Sequence, residues 1–440
     1  MGKEKIQRDI IMQKHDVVVI GGGIIGSAIA YFLKSNLDFQ GDVAVIERDT
    51  SYGKASTTRS LGGVRQQFSN RENIEIGLFG AEFVKNIKEH LAVDGESLDV
   101  GWVERGYLFL ASNEGKKILI ENQSLQNRLG AKIDILSPND LKSKFPWLNT
   151  NGIAISSFGK SGEGWLDPST FLNAFRSKAR ALGAQFINDE VRAITRVRQK
   201  IRSVTLGGGE KIECDFLVNA SGAWAGNIAR LANIDLPVVP KKRIIYGIDC
   251  REELEPKLPL VIDTSGVFIR SEGSGFVCGV SPPANLDPDA WDDMEVDYKL
   301  FDDIIWPSIA NRIPALKAIK ITNAWAGWYD YNTFDQNGII GSHADVNNFF
   351  FANGFSGHGL QQSPAIGRAI MELITYGKYR SIDLSRFSHD RIIKKEALPE
   401  QNIVELTCRN RAFFERSTFI LENVRFYSSK VMSACLTLPQ

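Results

Sequence analysis

The stretch 16–47 constrains the fold of this chain more than any other. It reads D-V-V-V-I-G-G-G-I-I-G-S-A-I-A-Y-F-L and closes, after a polar turn, on V-A-V-I-E. The short apolar run at 17–20 suits a strand buried on both faces. Gly21, Gly23 and Gly26 follow in G-x-G-x-x-G spacing. The first permits a tight turn, the second leaves room for a pyrophosphate against the backbone, and the third lets the next helix pack close to the strand. That helix aims its N-terminal N–H groups and the positive end of its dipole at the pyrophosphate. A second apolar run, 43–46, delivers Glu47, 21 residues after Gly26. A carboxylate there can accept both ribose hydroxyls of an adenosine. The order strand, loop, helix, strand, acid predicts a dinucleotide-binding β-α-β unit. A glycine-rich turn in an ordinary β-α-β unit is the alternative.

The rest of the composition narrows the class. A chain of 440 residues buries a sizeable core and predicts two domains. Its 52 basic and 52 acidic residues balance, which gives no reason to expect a nucleic acid or a polybasic membrane contact. The uncharged run 17–33 is short for a membrane span and is broken by four glycines, so it reads as strand, loop and helix. Residues 1–13 mix acids with bases and show neither a secretory apolar region nor an Arg- or Ser-rich import signal. Five cysteines, at 214, 250, 278, 408 and 435, lie far apart with no C-x-x-C. They predict buried thiols in a reducing compartment rather than disulfides or a metal site.

Periodicity predicts helices at 72–90, 116–130, 137–145 and from Asp167-Pro168 onward, and strands at 107–111, 185–188, 191–197 and 215–219. A strand-to-helix junction, Ala220-Ser221-Gly222-Ala223-Trp224, could sit against the same dinucleotide. From 238 to 331 short, aromatic-rich, alternating segments (243–249, 267–270, 276–280, 322–331) and an acidic helix at 287–309 predict a largely antiparallel second domain. Strands return at 339–341 and 349–351, and a glycine loop through His358 leads into a helix at 362–376. The apolar tail 405–440 fits neither period.

These motifs together resemble the D-amino-acid-oxidase-like FAD oxidoreductases, from about residue 15 to 391. The similar stretches are G-G-V-R-Q-Q-F-S at 62–69, K-F-P-W-L-N-T at 144–150, E-G-W-L-D-P at 163–168, W-A-G-W-Y-D-Y-N-T-F-D-Q-N-G at 325–338 and G-F-S-G-H-G-L-Q-Q-S-P at 354–364. They are most like a mitochondrial branch of that family tied to assembly of respiratory complex I. The resemblance implies an α/β and α+β chain: a Rossmann-like FAD-binding domain with an inserted, mainly antiparallel-sheet substrate domain. The FAD domain would be discontinuous (15–90, 151–235 and 336–395), the substrate domain would comprise 91–150 and 236–335, and 396–440 would be a C-terminal extension. It also implies amine or amino-acid oxidation, complex I subunits or assembly factors as partners, and a mitochondrial matrix location, with the cytoplasm as the alternative.

Residue by residue, the resemblance puts FAD against Gly21, Gly23, Ile24, Ile25, Gly26, Glu47, Arg48, Ser56, Thr57, Gly62, Gly63, Val191, Ala220, Gly222, Trp224, Gly357, Gly359, Leu360 and Gln361. It puts His358 and Arg65 beside the flavin ring, with Arg65 able to bind a carboxylate through two N–H groups. Tyr329, with Tyr246 and Tyr331, is an aromatic candidate for the substrate side, core packing being the alternative for each. Lys241, Lys242 and Arg243 are a basic strand entry that could reach substrate. Two departures matter. Arg59 stands where covalent-flavin relatives place a histidine, and Trp328 and Tyr329 stand near the position of their cysteine, so noncovalent FAD is expected. Gln361 stands where sarcosine oxidases place the lysine that grips the substrate carboxylate. A glycine loop at 354–359 has no role in a nicotinamide dehydrogenase, so FAD is favoured over NAD.

Overall fold

The structure is a computed structural model that describes residues 13–282 and 286–401. The apolar tail at 405–440 lies outside the described residues. The strands are β1 (Gln13–Ile20), β2 (Val43–Glu47), β3 (Gly63–Val64), β4 (Tyr107–Ala111), β5 (Ile133–Leu136), β6 (Ile155–Gly159), β7 (Gly164–Trp165), β8 (Gln185–Asn188), β9 (Val191–Val197), β10 (Lys200–Leu206), β11 (Lys211–Asn219), β12 (Val238–Asp249), β13 (Leu260–Ile262), β14 (Phe268–Glu272), β15 (Gly275–Gly279), β16 (Lys320–Asn332), β17 (Ile339–Ser342) and β18 (Phe349–Asn353).

The first sheet runs β17-β18-β11-β1-β2-β8, with β10 and then β9 joined to the start of β11. β1 is parallel to β2 and β11, and β11 is parallel to β18. Strands so placed are covered on both faces, which is why the runs 17–20 of β1, 43–46 of β2 and 349–352 of β18 are apolar without interruption. Alternate residues of β1 feed two cores. Val17 and Val19 pack with the helices Ile24–Ser35, Pro168–Ala181 and Gly359–Tyr376, whereas Val18 and Ile20 pack with Ile194, Val204, Ala225 and Ala229.

The second sheet runs β16-β12-β15-β14-β13-β4-β6-β5 and is antiparallel except where β13 meets β4. Phe301, Ile305 and Ile309 cover one of its faces, against Leu108, Tyr246 and Ile269. Between the two sheets the short pair β3–β7 sets Gly63 opposite Trp165.

Four expectations are corrected. The helix predicted at 72–90 is two, Arg71–Lys85 and Ile87–Leu91, because Asn86 leaves helical geometry (φ −103°, ψ 25°). The acidic segment at 287–309 is not helical before Tyr298. Its first part lies along β12, held by charge pairs, and the helical run then passes through a π segment, Phe301–Ile305, to Trp306–Arg312. The last helix begins at Gly359 rather than 362, so Gly359, Leu360 and Gln361 form its first turn. The strand at Ile155–Gly159 pairs with β4 and β5 and so belongs to the second sheet. Among the described residues, no helix is long and apolar enough to cross a membrane.

Candidate functional site

The residues singled out by sequence gather at the C-terminal ends of β1, β2, β11 and β18, in two groups. The first is built almost wholly from backbone. Gly21 turns the chain at φ +102°, a conformation a side chain rarely tolerates, and a Cβ on Gly26 would collide with the Gly21 carbonyl. A Cβ on Gly23, by contrast, meets nothing nearer than Thr57 Oγ1 at 3.7 Å, and one on Gly222 meets nothing within 4 Å. Both therefore border open space. The 12-residue helix Ile24–Ser35 has Gly23 as N-cap and no side-chain cap among the described residues. Thr57 Oγ1 accepts from the Ile24 N–H at 3.3 Å. Bare N–H groups and a positive dipole end facing open space fit a pyrophosphate. Glu47 is fixed from both sides, with the Gly22 N–H at 2.8 Å and the Asp49 N–H at 2.9 Å on its two carboxylate oxygens. The Ala220 N–H donates to the Ile20 carbonyl, which brings the Gly222–Trp224 turn beside the loop. Arg48 lies over the Trp224 ring at 4.0 Å, and Trp224 meets Trp328 edge-on at 4.8 Å. Val191 follows β8, the neighbour of β2, but its side chain is buried in the sheet core, so only its backbone can face a ligand. Ser56 and Ile25 lie along the same loop and first turn. These groups fit the adenosine and pyrophosphate of a dinucleotide.

The second group is built from charged and aromatic side chains. Arg65 Nη2 meets His358 Nε2 at 3.0 Å. The guanidinium only donates, so Nε2 accepts and the ring proton sits on Nδ1. Burial first, and then the Arg65 charge, pull the His358 pKa down to about 3. The imidazole is thus neutral at physiological pH. Arg65 also lies over the Phe68 ring at 4.5 Å, and its Nε, buried, has no partner among the described residues. The Arg65 N–H donates to Gln361 Oε1 at 2.7 Å. Gln361 therefore pins the arginine backbone through its amide oxygen. Two helix glycines make this close fit possible: a Cβ on Gly77 would press on the Arg65 carbonyl, and one on Gly80 would press on that of Gln361.

Tyr329 closes the other side. Its ring occupies the space a Cβ on Gly357 would need, and Arg243 lies over it at 5.2 Å. Burial raises the Tyr329 pKa, so its hydroxyl stays protonated. The 18-residue helix Gly359–Tyr376 starts at His358 with no side-chain cap among the described residues, so its first N–H groups open toward this cluster. Its entry loop is clasped by β16: Asp330 accepts from the Phe355 N–H at 3.0 Å, its carbonyl accepts from the Ser356 N–H at 3.1 Å, and Ser356 Oγ accepts from the Asn332 N–H at 3.0 Å. Gly62 and Gly63 lead into Arg65 through the β3–β7 pair.

Other expectations move. Tyr246 is fully buried in the second sheet's core, with its hydroxyl on the Asp297 carbonyl, because it lies on the face of β12 opposite to Arg243. Tyr329 and Tyr331 share the open face. Lys241, Lys242 and Arg243 are paired with Asp289, Asp293 and Asp287 respectively, the last through both Nη atoms at 2.8 Å. Arg59 is spent on the Gly53 carbonyl at 2.9 Å and the Ala326 carbonyl at 3.1 Å. Sequence reading missed Glu163 and Asp330, two acids inside quoted motifs. Each is flanked by glycine or aromatic residues, a setting in which a solvated carboxylate is out of place. A cavity of about 590 Å³ lined by Lys200, Cys214, Asp215 and Ile374 lies at the opposite end of the first sheet and holds none of these residues.

Comparison with known proteins adds four findings. A family model described as "DAO: FAD dependent oxidoreductase" matches residues 16–373. The chain is 44% identical to FAD-dependent oxidoreductase domain-containing protein 1 of Xenopus laevis, over 90% of this chain and 86% of that protein. It is 26% identical to mitochondrial sarcosine dehydrogenase of Mus musculus, over 85% of this chain but 41% of that protein. Among solved structures, L-proline dehydrogenase from P. horikoshii superposes with a TM-score of 0.77 at 29% identity, covering 88% of this chain and 100% of that one.

Proposed function

The chain belongs to the DAO family of FAD-dependent oxidoreductases, and we propose that it oxidises the C–N bond of an amino or imino acid whose carboxylate is held by Arg65. The observation that carries this reading is the convergence of Arg65, His358 and Tyr329 on the uncapped start of the Gly359–Tyr376 helix. Sarcosine dehydrogenase and L-proline dehydrogenase, both similar to this chain, are named for substrates of that kind. FAD, when bound, accepts a hydride from the carbon that bears the nitrogen. The chain supplies the rest. The Gly21–Gly26 loop and Glu47 hold the adenosine end. Neutral His358 accepts from Arg65 and so aims the guanidinium. Arg65 takes the carboxylate through its remaining N–H groups. Protonated Tyr329 donates a hydrogen bond toward the substrate. Because Arg59 stands where covalent-flavin relatives place a histidine, and Trp328 and Tyr329 near the position of their cysteine, FAD is held without a covalent bond, and denaturing the holoprotein should free all of it into the supernatant.

The division into an FAD-binding unit (15–90, 151–235, 336–395) and a substrate unit (91–150, 236–335) is part of the same proposal, with β6 assigned to the substrate side. Anaerobic mixing with a panel of N-methyl and cyclic amino acids tests the chemistry. Bleaching of the flavin spectrum by one of them is the expected result, and a spectrum that none of them changes sinks it.

A second reading rests on Gln361. Its amide oxygen serves Arg65, so the site lacks the extra cation that sarcosine oxidases bring to the substrate carboxylate. In this reading the protein assists assembly of complex I in the mitochondrial matrix, and FAD is kept because bound cofactor stabilises the fold by mass action. Recovery of complex I subunits with the purified protein, together with an unbleached flavin, favours it.

A further inference from the structure

Directly behind Arg65 lies a carboxylate to which neither reading gives a task. Glu163 is 0% exposed. Its Oε1 accepts from the Gln66 N–H at 2.6 Å and the Gln67 N–H at 3.1 Å, the two amides that follow Arg65, and its Oε2 accepts from Gln67 Nε2 at 2.8 Å. Gln67 is held in turn by Ser157 on β6 and the Tyr107 carbonyl on β4. The carboxylate sits where a Cβ on Gly159 would stand, so its position is fixed by packing as well as by hydrogen bonds. Arg65 is thus gripped twice through its backbone, by Gln361 at its own N–H and by Glu163 at the next two.

A buried carboxylate needs a reason to stay charged. The donors here are neutral amides, and the cation within electrostatic reach is Arg65 itself. The other titratable groups nearby, among the described residues, are the Tyr107 phenol, kept neutral by burial, the Arg270–Glu272 ion pair, whose cation also acts on Tyr107, and the Lys85–Glu104 pair, whose carboxylate accepts from the Gly162 N–H at 2.6 Å. That pair neutralises itself. The charge on Arg65 is therefore shared between Glu163 behind it and whatever anion arrives in front. We propose that Glu163 is the positioning residue and counter-charge of Arg65, so that an anion reaching the guanidinium is accompanied by a proton taken up on Glu163. The proton comes from solvent, and no bond other than O–H forms. A small cavity of about 110 Å³, lined by Gln66, Lys85, Ser161 and Gly162, reaches the residue next to Glu163. Burial lifts the Glu163 pKa to about 7, which puts the exchange in the physiological range. The inference rests on Arg65 as the anion-facing group of the proposed function.

The test uses the FAD-loaded protein with acetate as probe, followed by the flavin spectrum and by proton release or uptake in weak buffer. The wild type should bind acetate with uptake of up to one proton. Its affinity should fall about tenfold per pH unit above neutrality, as a one-proton coupling requires. Glu163→Gln should bind with no uptake and an affinity flat from pH 6 to 8. Uptake that persists in E163Q overturns the proposal. Acetate that fails to bind the wild type removes Arg65 as a carboxylate site. Glu163 is then judged by the pH dependence of the flavin midpoint potential, where a break near neutrality in the wild type only supports it and identical curves overturn it. If E163Q loses FAD, infrared difference spectra of the wild type with and without ¹³C-acetate decide. A new protonated-carboxyl band of the protein is expected, and its absence refutes the idea.

Discussion

The two ends of the site are made of different material. The dinucleotide end is backbone: three glycines, one helix start and one acid, all within a single β-α-β unit of 32 residues between positions 16 and 47. The other end is side chains, Arg65, Glu163, Tyr329 and His358, drawn from four distant segments and held by buried charge. Backbone donors carry no net charge, so the first end can stay partly open to water. Net charges must be paired or shielded, so the second end is buried and its pKa values are displaced. The first end fits a ligand common to a whole family; under the proposed function, the second end is the one that would discriminate among substrates.

Substitutions at the two ends should therefore fail in different ways. The largest effect is expected at the backbone end. Gly26→Val has no room against the Gly21 carbonyl, and overpacking of this kind costs about 1–3 kcal/mol or more. The protein should purify colourless, which the ratio of flavin to protein absorbance reads out. A yellow, stoichiometric G26V would erase the contrast. Next is Arg65→Ala, which should keep its FAD yet lose about 10²–10³ in kcat/KM, or in affinity for a carboxylate ligand, because a hydrogen-bonded charge pair is lost. Arg65→Lys should recover little, since it lacks the fork. If R65A also sheds FAD, the two ends are not separable.

Gly357→Ala is a smaller blow. Its φ of +99° and the Tyr329 ring both oppose a methyl group, at a cost of about 1–3 kcal/mol visible as a lower Tm. Asp330→Asn sharpens the electrostatic half of the comparison. Burial raises the Asp330 pKa to about 6, so the group's contribution to stability is full below the ordinary aspartate range and is lost as pH rises through about 6. Between pH 4 and 7 the wild type should lose about 2–3 kcal/mol relative to D330N, measured by urea melts at several pH values. The smallest effect belongs to Arg48→Ala. It removes an exposed cation–π contact on Trp224 worth about 0.5–1 kcal/mol and should only slightly speed FAD release in stopped-flow dilution.

The legibility of the molecule follows the same division. β4, β8 and β9 lie where alternation and apolar runs put them, and Asp167 caps the helix Pro168–Ala181 as Asp-Pro predicts. Where reading failed, a long-range contact had overruled a local signal. The acid-rich segment 287–297 has helical composition, but Asp287, Asp289 and Asp293 gain more by pairing with Arg243, Lys241 and Lys242 across a strand. Tyr246 and Tyr329 look alike in sequence, and the pairing register of β12 with β16 sends them to opposite faces.

Sequence alone determined the dinucleotide unit, because its ligand is met by backbone geometry that glycine spacing encodes locally. It also singled out Arg65 and His358, through separate motifs whose side chains the fold then brings to 3.0 Å of each other. Tertiary structure alone decided what those residues do to one another: that His358 is neutral and accepts from Arg65, that Gln361 Oε1 accepts from the Arg65 N–H, and that Glu163 stands behind the arginine. Those are properties of distance and burial between segments up to about 300 positions apart, such as the 293 that separate Arg65 from His358, and no local pattern of residues carries them.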